Sequence, residues 1–128
     1  MMPSMKAAGR GTILFTGGGL ALEPYPEWAT LAAGKAALRS LGLGLHKQLL
    51  PWGIHVAVVA VAGIVEPEGP FDPDRIADQY WRLHRQPLAH AQRELVHLPE
   101  GADPFYNDPS ARHRDVSEPI VAQPLLDS

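Results

Sequence analysis

The sequence predicts an α/β fold of three layers, with parallel strands joined by crossover helices. Three observations lead there. The run Ile54-His55-Val56-Ala57-Val58-Val59-Ala60-Val61 is apolar on both faces apart from His55, the pattern of a strand covered on both sides. A shorter apolar run of β type, Thr12 to Thr16, comes earlier and is entered and left through glycines. A long helical pattern separates the two, and a second helix and a last strand follow. The order strand, helix, strand, helix, strand implies a parallel sheet with right-handed crossovers.

Met1 to Ala8 reads as the end of a helix, stopped at Gly9 and too short to stand alone. After the Thr12–Thr16 strand, Gly17-Gly18-Gly19 permits positive φ and close backbone approach. Glu23-Pro24-Tyr25-Pro26-Glu27 is a loop, because two prolines so close together prevent regular structure. The main helix runs from Glu27 or Trp28 to Leu50, with Leu31, Gly34, Leu38, Leu41, Leu45 and Leu49 forming one apolar stripe. Its glycines, Gly34, Gly42 and Gly44, each cost about 1 kcal/mol against alanine, so this helix is expected to pack closely against another element. Pro51 ends it and Gly53 makes the turn.

Beyond Val61, Ala62-Gly63-Ile64-Val65-Glu66-Pro67 leaves the strand as a loop. Asp72 suits the N-cap of the next helix and Pro73 its first position. That helix, to about Arg85, is expected to turn Ile76, Tyr80, Leu83 and Trp81 inward. Arg93 to Leu98 is the last strand. Residues 1–100 therefore form one domain. Residues 101–128 show no hydrophobic period and are broken by prolines, which predicts a disordered or loosely attached tail.

Composition excludes several functions. The formal charge of the 128 residues is −3, and no basic run carries interleaved aromatics, so neither nucleic acid nor an anionic membrane is an expected partner. There is no cysteine, hence no disulfide and no thiolate chemistry, and the cytoplasm is the expected location. The apolar stretch Ile54–Val65 is too short to span a bilayer, and the N-terminus lacks the pattern of a secretory signal. His46, His55, His84, His90, His97 and His113 show no metal-ligand spacing. The three consecutive glycines lack both phosphate-loop patterns and open onto a proline-rich loop rather than a helix N-terminus.

One constellation carries chemistry. Gly11-Thr12-Ile13-Leu14-Phe15-Thr16-Gly17-Gly18-Gly19 is followed, one helix on, by Leu31-Ala32-Ala33-Gly34-Lys35. Read from the residues alone, Lys35 is a helix lysine reaching solvent, and Gly63 is a turn after a strand. Together the two segments resemble the catalytic half of the short-chain dehydrogenase/reductase family. The family's helix reads Tyr-x-x-x-Lys, so the resemblance places Lys35 at the lysine, Leu31 at the tyrosine and Gly18 at the serine. It implies that Lys35 contacts the nicotinamide ribose, while leucine supplies no proton donor. Tyr25 and Thr16 are weaker replacements. Val61-Ala62-Gly63-Ile64-Val65 resembles the family's Pro-Gly-x-Val/Ile-x-Thr stretch, which makes Gly63, Ile64 and Val65 cofactor contacts by resemblance.

The resemblance covers Met5 to Leu98 and corresponds to strands five to seven of the family's Rossmann-like sheet. The family's Thr-Gly-x-x-x-Gly-x-Gly turn and adenosine-ribose acid have no counterpart. NAD(P) is thus the cofactor of the intact relatives, and none is expected on this chain alone. The chain reads as a fragment or truncated form of a divergent NAD(P)-dependent oxidoreductase of this family, inactive as this chain. The alternative is a non-catalytic assembly module, a homo-oligomer joined through the 28–50 helix.

Overall fold

In the computed structural model the structure describes residues 2–103 and 105–109. The elements are α1 (Met2–Ala8), β1 (Gly11–Gly18), α2 (Ala29–Leu49), β2 (Ile54–Val61), α3 (Pro73–His84) and β3 (Glu94–His97). The strands lie in the order β1-β2-β3. β1 pairs parallel with β2 from Gly11↔Ile54 to Gly18↔Val61, and β2 pairs parallel with β3 from Val58↔Glu94 to Val61↔His97.

β2 is buried along its whole length, as its unbroken apolar sequence predicts. Its residues alternate between two cores. Ala57, Val59 and Val61 pack with Ile76 and Leu83 of α3 and Leu95 of β3. Ile54 and Val56 pack with Leu49 of α2, joined by Met5, Ile13, Phe15 and Leu45. Each buried valine or isoleucine contributes about 1.5–3 kcal/mol. α2 and α3 therefore cover opposite faces, giving helix, sheet and helix layers.

This corrects the expected handedness. The strands step in one direction from β1 to β3, yet the two crossover helices lie on opposite faces, so the crossovers have opposite hands. Right-handedness holds for one of them at most. The loop over residues 62–72 carries the chain across the end of the sheet, which frees α3 from the side that α2 occupies.

α2 departs from its predicted stripe. Its buried residues are Ala32, Gly42, His46 and Leu49, while Leu31 and Leu41 are 51% and 56% exposed. Close approach holds at Gly42, where a β-carbon would stand 2.4 Å from Val58 Cγ2. Gly34 and Gly44 face open space. The helix ends through Leu50–Trp52 into Gly53 at φ 79°, where a β-carbon would also strike the Gly9 carbonyl. Gly9, at φ 65°, stops α1 in the left-handed conformation that favours glycine.

α3 begins as its sequence predicts. The Asp72 carboxylate accepts from the Asp74 amide at 2.8 Å and from the Glu68 amide at 2.6 Å, with Pro73 at the first position. Ile76 and Leu83 are buried, but Trp81 turns outward, 60% exposed. α3 is tied to β1 by two polar pairs, Tyr80 with Thr16 and His84 with Thr12. Arg39 of α2 donates to Glu94 of β3 at 2.7 Å.

His46, His55 and His97 each bond a backbone carbonyl. His46 Nδ1 bonds the Val56 carbonyl at 2.7 Å, His55 Nε2 that of Gln92 at 2.6 Å, and His97 Nε2 that of Pro70 at 2.8 Å. Of the expected tail, residues 105–109 run back to the domain, where Trp28 Nε1–H donates to the Asn107 carbonyl at 2.7 Å. Residues 104 and 110–128 lie outside the described residues.

Candidate functional site

Lys35 and Gly18, which the sequence singles out, meet at the carboxyl ends of β1 and β2, the place where open parallel sheets hold their ligands. Lys35 is half-buried on α2, and its side chain lies along Gly18. A β-carbon at Gly18 would stand 3.8 Å from Lys35 Cε, 3.9 Å from Cδ and 4.0 Å from the Val61 carbonyl oxygen. Gly18 pairs with Val61 in the sheet, which puts Lys35 beside the start of the loop that carries Gly63. The expected neighbours Gly18, Lys35 and the end of β2 are thus brought together. Leu31 lies one helical turn before Lys35 and is largely exposed.

The glycine run works by approach rather than by positive φ. Gly17 and Gly18 are strand residues, and the positive-φ glycines among the described residues are Gly9, Gly53, Gly69 and Gly101. Thr16 hydrogen-bonds Tyr80 on α3 and does not serve Lys35.

The expected cofactor loop divides. Gly63 is pressed under the Phe71 ring, whose Cζ would lie 2.2 Å from a β-carbon there. Phe71 in turn meets His97 edge-on, ring centroids 5.4 Å apart. Ile64 and Val65 are 64% and 54% exposed. Val65 borders an apolar groove of about 380 Å³ between β1 and α3, with Thr16, Ile76 and Tyr80 on its other walls.

Charge at this end is sparse. Lys35 has no ion-pair partner among the described residues. The Asp72 carboxyl is held below its ordinary value by the Asp74 amide first and the Glu68 amide second. No group of three His, Cys, Asp or Glu able to hold a metal occurs among the described residues. None of their helices is long and apolar enough to cross a membrane.

Tyr106 is the site residue that sequence reasoning missed. Its ring lies 3.1 Å, and its hydroxyl 3.3 Å, from the β-carbon position of Gly19. The hydroxyl donates to the Val61 carbonyl at 3.4 Å. The available signal was Phe105-Tyr106, an aromatic pair in an otherwise polar segment.

A parallel sheet covered by helices on both faces, with Lys35 beside its strand ends, defines a domain of the Rossmann-like α/β class. The family model for short chain dehydrogenases matches residues 1–68, and the chain belongs to that family. Among solved structures it is similar to a short-chain dehydrogenase from Rhodopseudomonas palustris. That match has 30% identity and a TM-score of 0.63, covering 74% of this chain and 41% of that one. A short-chain dehydrogenase from Streptomyces avermitilis shares the fold at 19% identity and a TM-score of 0.68, covering 83% of this chain and 48% of that one. The chain thus spans less than half the length of either structure. No curated protein matches it.

Proposed function

We propose that this chain represents the carboxyl-terminal part of a divergent NAD(P)-linked short-chain oxidoreductase, and that on its own it turns over no substrate. The observation that carries this reading is Lys35 set against bare Gly18, with Leu31 one turn away. The lysine is retained, and neither neighbouring position bears a group that exchanges a proton. Pyrophosphate in such folds sits on a glycine-rich strand–helix turn, and the sequence offers no such turn, which supports weak or absent dinucleotide binding. The lack of cysteine supports a reducing, cytoplasmic setting. The reading is tested by following NADH and NADPH oxidation with carbonyl compounds, the Lys35→Ala chain serving as the control. Equal, background rates support it, and turnover that depends on Lys35 refutes it.

A second reading is favoured by one feature of α2. Its outward face carries Leu31 and Leu41, both exposed, and its glycines 34 and 44 open to solvent. Exposed apolar surface without charge is a mark of association, so the chain is also read as a homo-oligomeric assembly module joined through α2. Sedimentation across micromolar concentrations tests this, and a monomer throughout rejects it.

A further inference from the structure

We propose that the apolar groove between β1 and α3 is the seat of the chain's own residues 120–126. The groove, of about 380 Å³, is walled by Val61, Val65, Pro73, Ile76 and Ala77. The two hydroxyls at its border, those of Thr16 and Tyr80, are hydrogen-bonded to each other. No lining residue carries a charge, so the groove offers an occupant apolar surface and little else. Val65, on its rim, is 54% exposed. Covering that surface is favourable in proportion to the apolar area removed from water.

Two observations name the occupant, and the first is the place where the described chain ends. The Tyr106 ring covers Gly19, and its hydroxyl donates to the carbonyl of Val61 at 3.4 Å, a residue of the groove wall. The Trp28 indole holds the same segment through the Asn107 carbonyl at 2.7 Å. The chain is thus anchored beside the groove just before Pro109. The ten residues between Pro109 and Ile120 span up to about 33–36 Å when extended, which is ample reach.

The second is composition. Ile120, Val121, Ala122, Leu125 and Leu126 make residues 120–126 the apolar stretch of the chain beyond Pro109, with Glu118 and Asp127 charged on either side. Pro119 and Pro124 lack an amide hydrogen, which suits a groove of side chains better than the hydrogen-bonding edge of β1. The tether decides between this segment and that of a second copy. A short linker gives an effective concentration of about millimolar, so at micromolar protein the chain's own segment takes the groove.

The test uses the full ¹⁵N-labelled chain. It holds no cysteine, so Ser128→Cys carries a single nitroxide just beyond Leu126. The amide signals of Val65, Ala77 and Tyr80 are expected to lose intensity to the spin label. Those of Gly34 and Gly44, on the opposite helix layer, should keep theirs. Leu125→Asp combined with Leu126→Asp should restore the groove signals and leave the rest of the spectrum unchanged. Ala77→Glu, at an exposed position of the wall, should restore those of Val65 and Tyr80 from the other side. In a mixture of nitroxide-bearing unlabelled chain with ¹⁵N chain free of nitroxide, no loss is expected. Loss in the mixture assigns the groove to a second copy and overturns the proposal. So do no loss in the labelled chain, loss spread evenly over both faces, and loss that survives both variants.

Discussion

The Lys35 side chain lies against Gly18, with its Cε 3.8 Å from where a β-carbon would stand. This contact joins the end of β1 to the first half of α2, the next long element of the chain. It also leaves the lysine beside backbone alone at the place where a neighbouring side chain would share its chemistry. The fold holds Lys35 in position against Gly18, with Leu31 one helical turn before it.

Gly42 and Gly34 should respond to alanine in opposite directions. At Gly42 the new methyl would meet Val58 Cγ2 at 2.4 Å and Phe15 Cδ2 at 3.3 Å, and overpacking of this kind costs about 1–3 kcal/mol. At Gly34 it would meet nothing within contact range, and alanine gains about 1 kcal/mol of helix propensity. Denaturant unfolding of the two variants checks both signs.

Gly63→Ala should destabilise the 63–72 loop by pushing Phe71 off its seat, since its ring atoms would lie 2.2–2.4 Å from the new carbon. The expected cost is about 1–3 kcal/mol. A double-mutant cycle with Phe71→Ala is the check: the cost of the Gly63 change should largely vanish once the ring is gone.

The contribution of Asp72 to stability depends on pH with a definite sign. Two backbone amides, Asp74 first and Glu68 second, hold its folded pKa below the ordinary 3.8. A depressed carboxyl pKa contributes stability that is present above the unfolded value and is lost as pH falls through the folded one. Asp72→Ala should therefore unfold at a lower temperature than wild type at pH 7. The gap should narrow on acidification below the unfolded value, which thermal melts at several pH values will show.

Leu41→Glu separates surface from core on α2. Leu41 is exposed, so the substitution should change chain stability by within about 0.5 kcal/mol. If α2 joins copies of the chain, the same change should lower the sedimenting mass. A variant with wild-type mass at every concentration argues against association through α2.

Much of this fold was legible because burial was written plainly. β2 is apolar on both faces and is buried on both, and the Asp72-Pro73 pair marks the start of α3 without ambiguity. The α2 stripe misled because leucines were weighted over small residues. Ala32 and Gly42 are buried, Gly42 directly against Val58 of the sheet, and Leu31 and Leu41 are turned out. The opposite hands of the two crossovers were hidden because a loop as long as 62–72 reaches either face. Tyr106 was hidden because one aromatic anchor creates no period, and a segment without period reads as loose. Lys35 lies against Gly18 because a strand, a turn and one helix fix their separation.

The proposal that this chain on its own turns over no substrate is tested most directly by steady-state oxidation of NADH and NADPH by the purified chain with a panel of aldehydes and ketones. On the proposed reading, wild type, Lys35→Ala and the Leu31→Tyr, Gly18→Ser double variant all show the background rate. Turnover by wild type above the Lys35→Ala chain would contradict it.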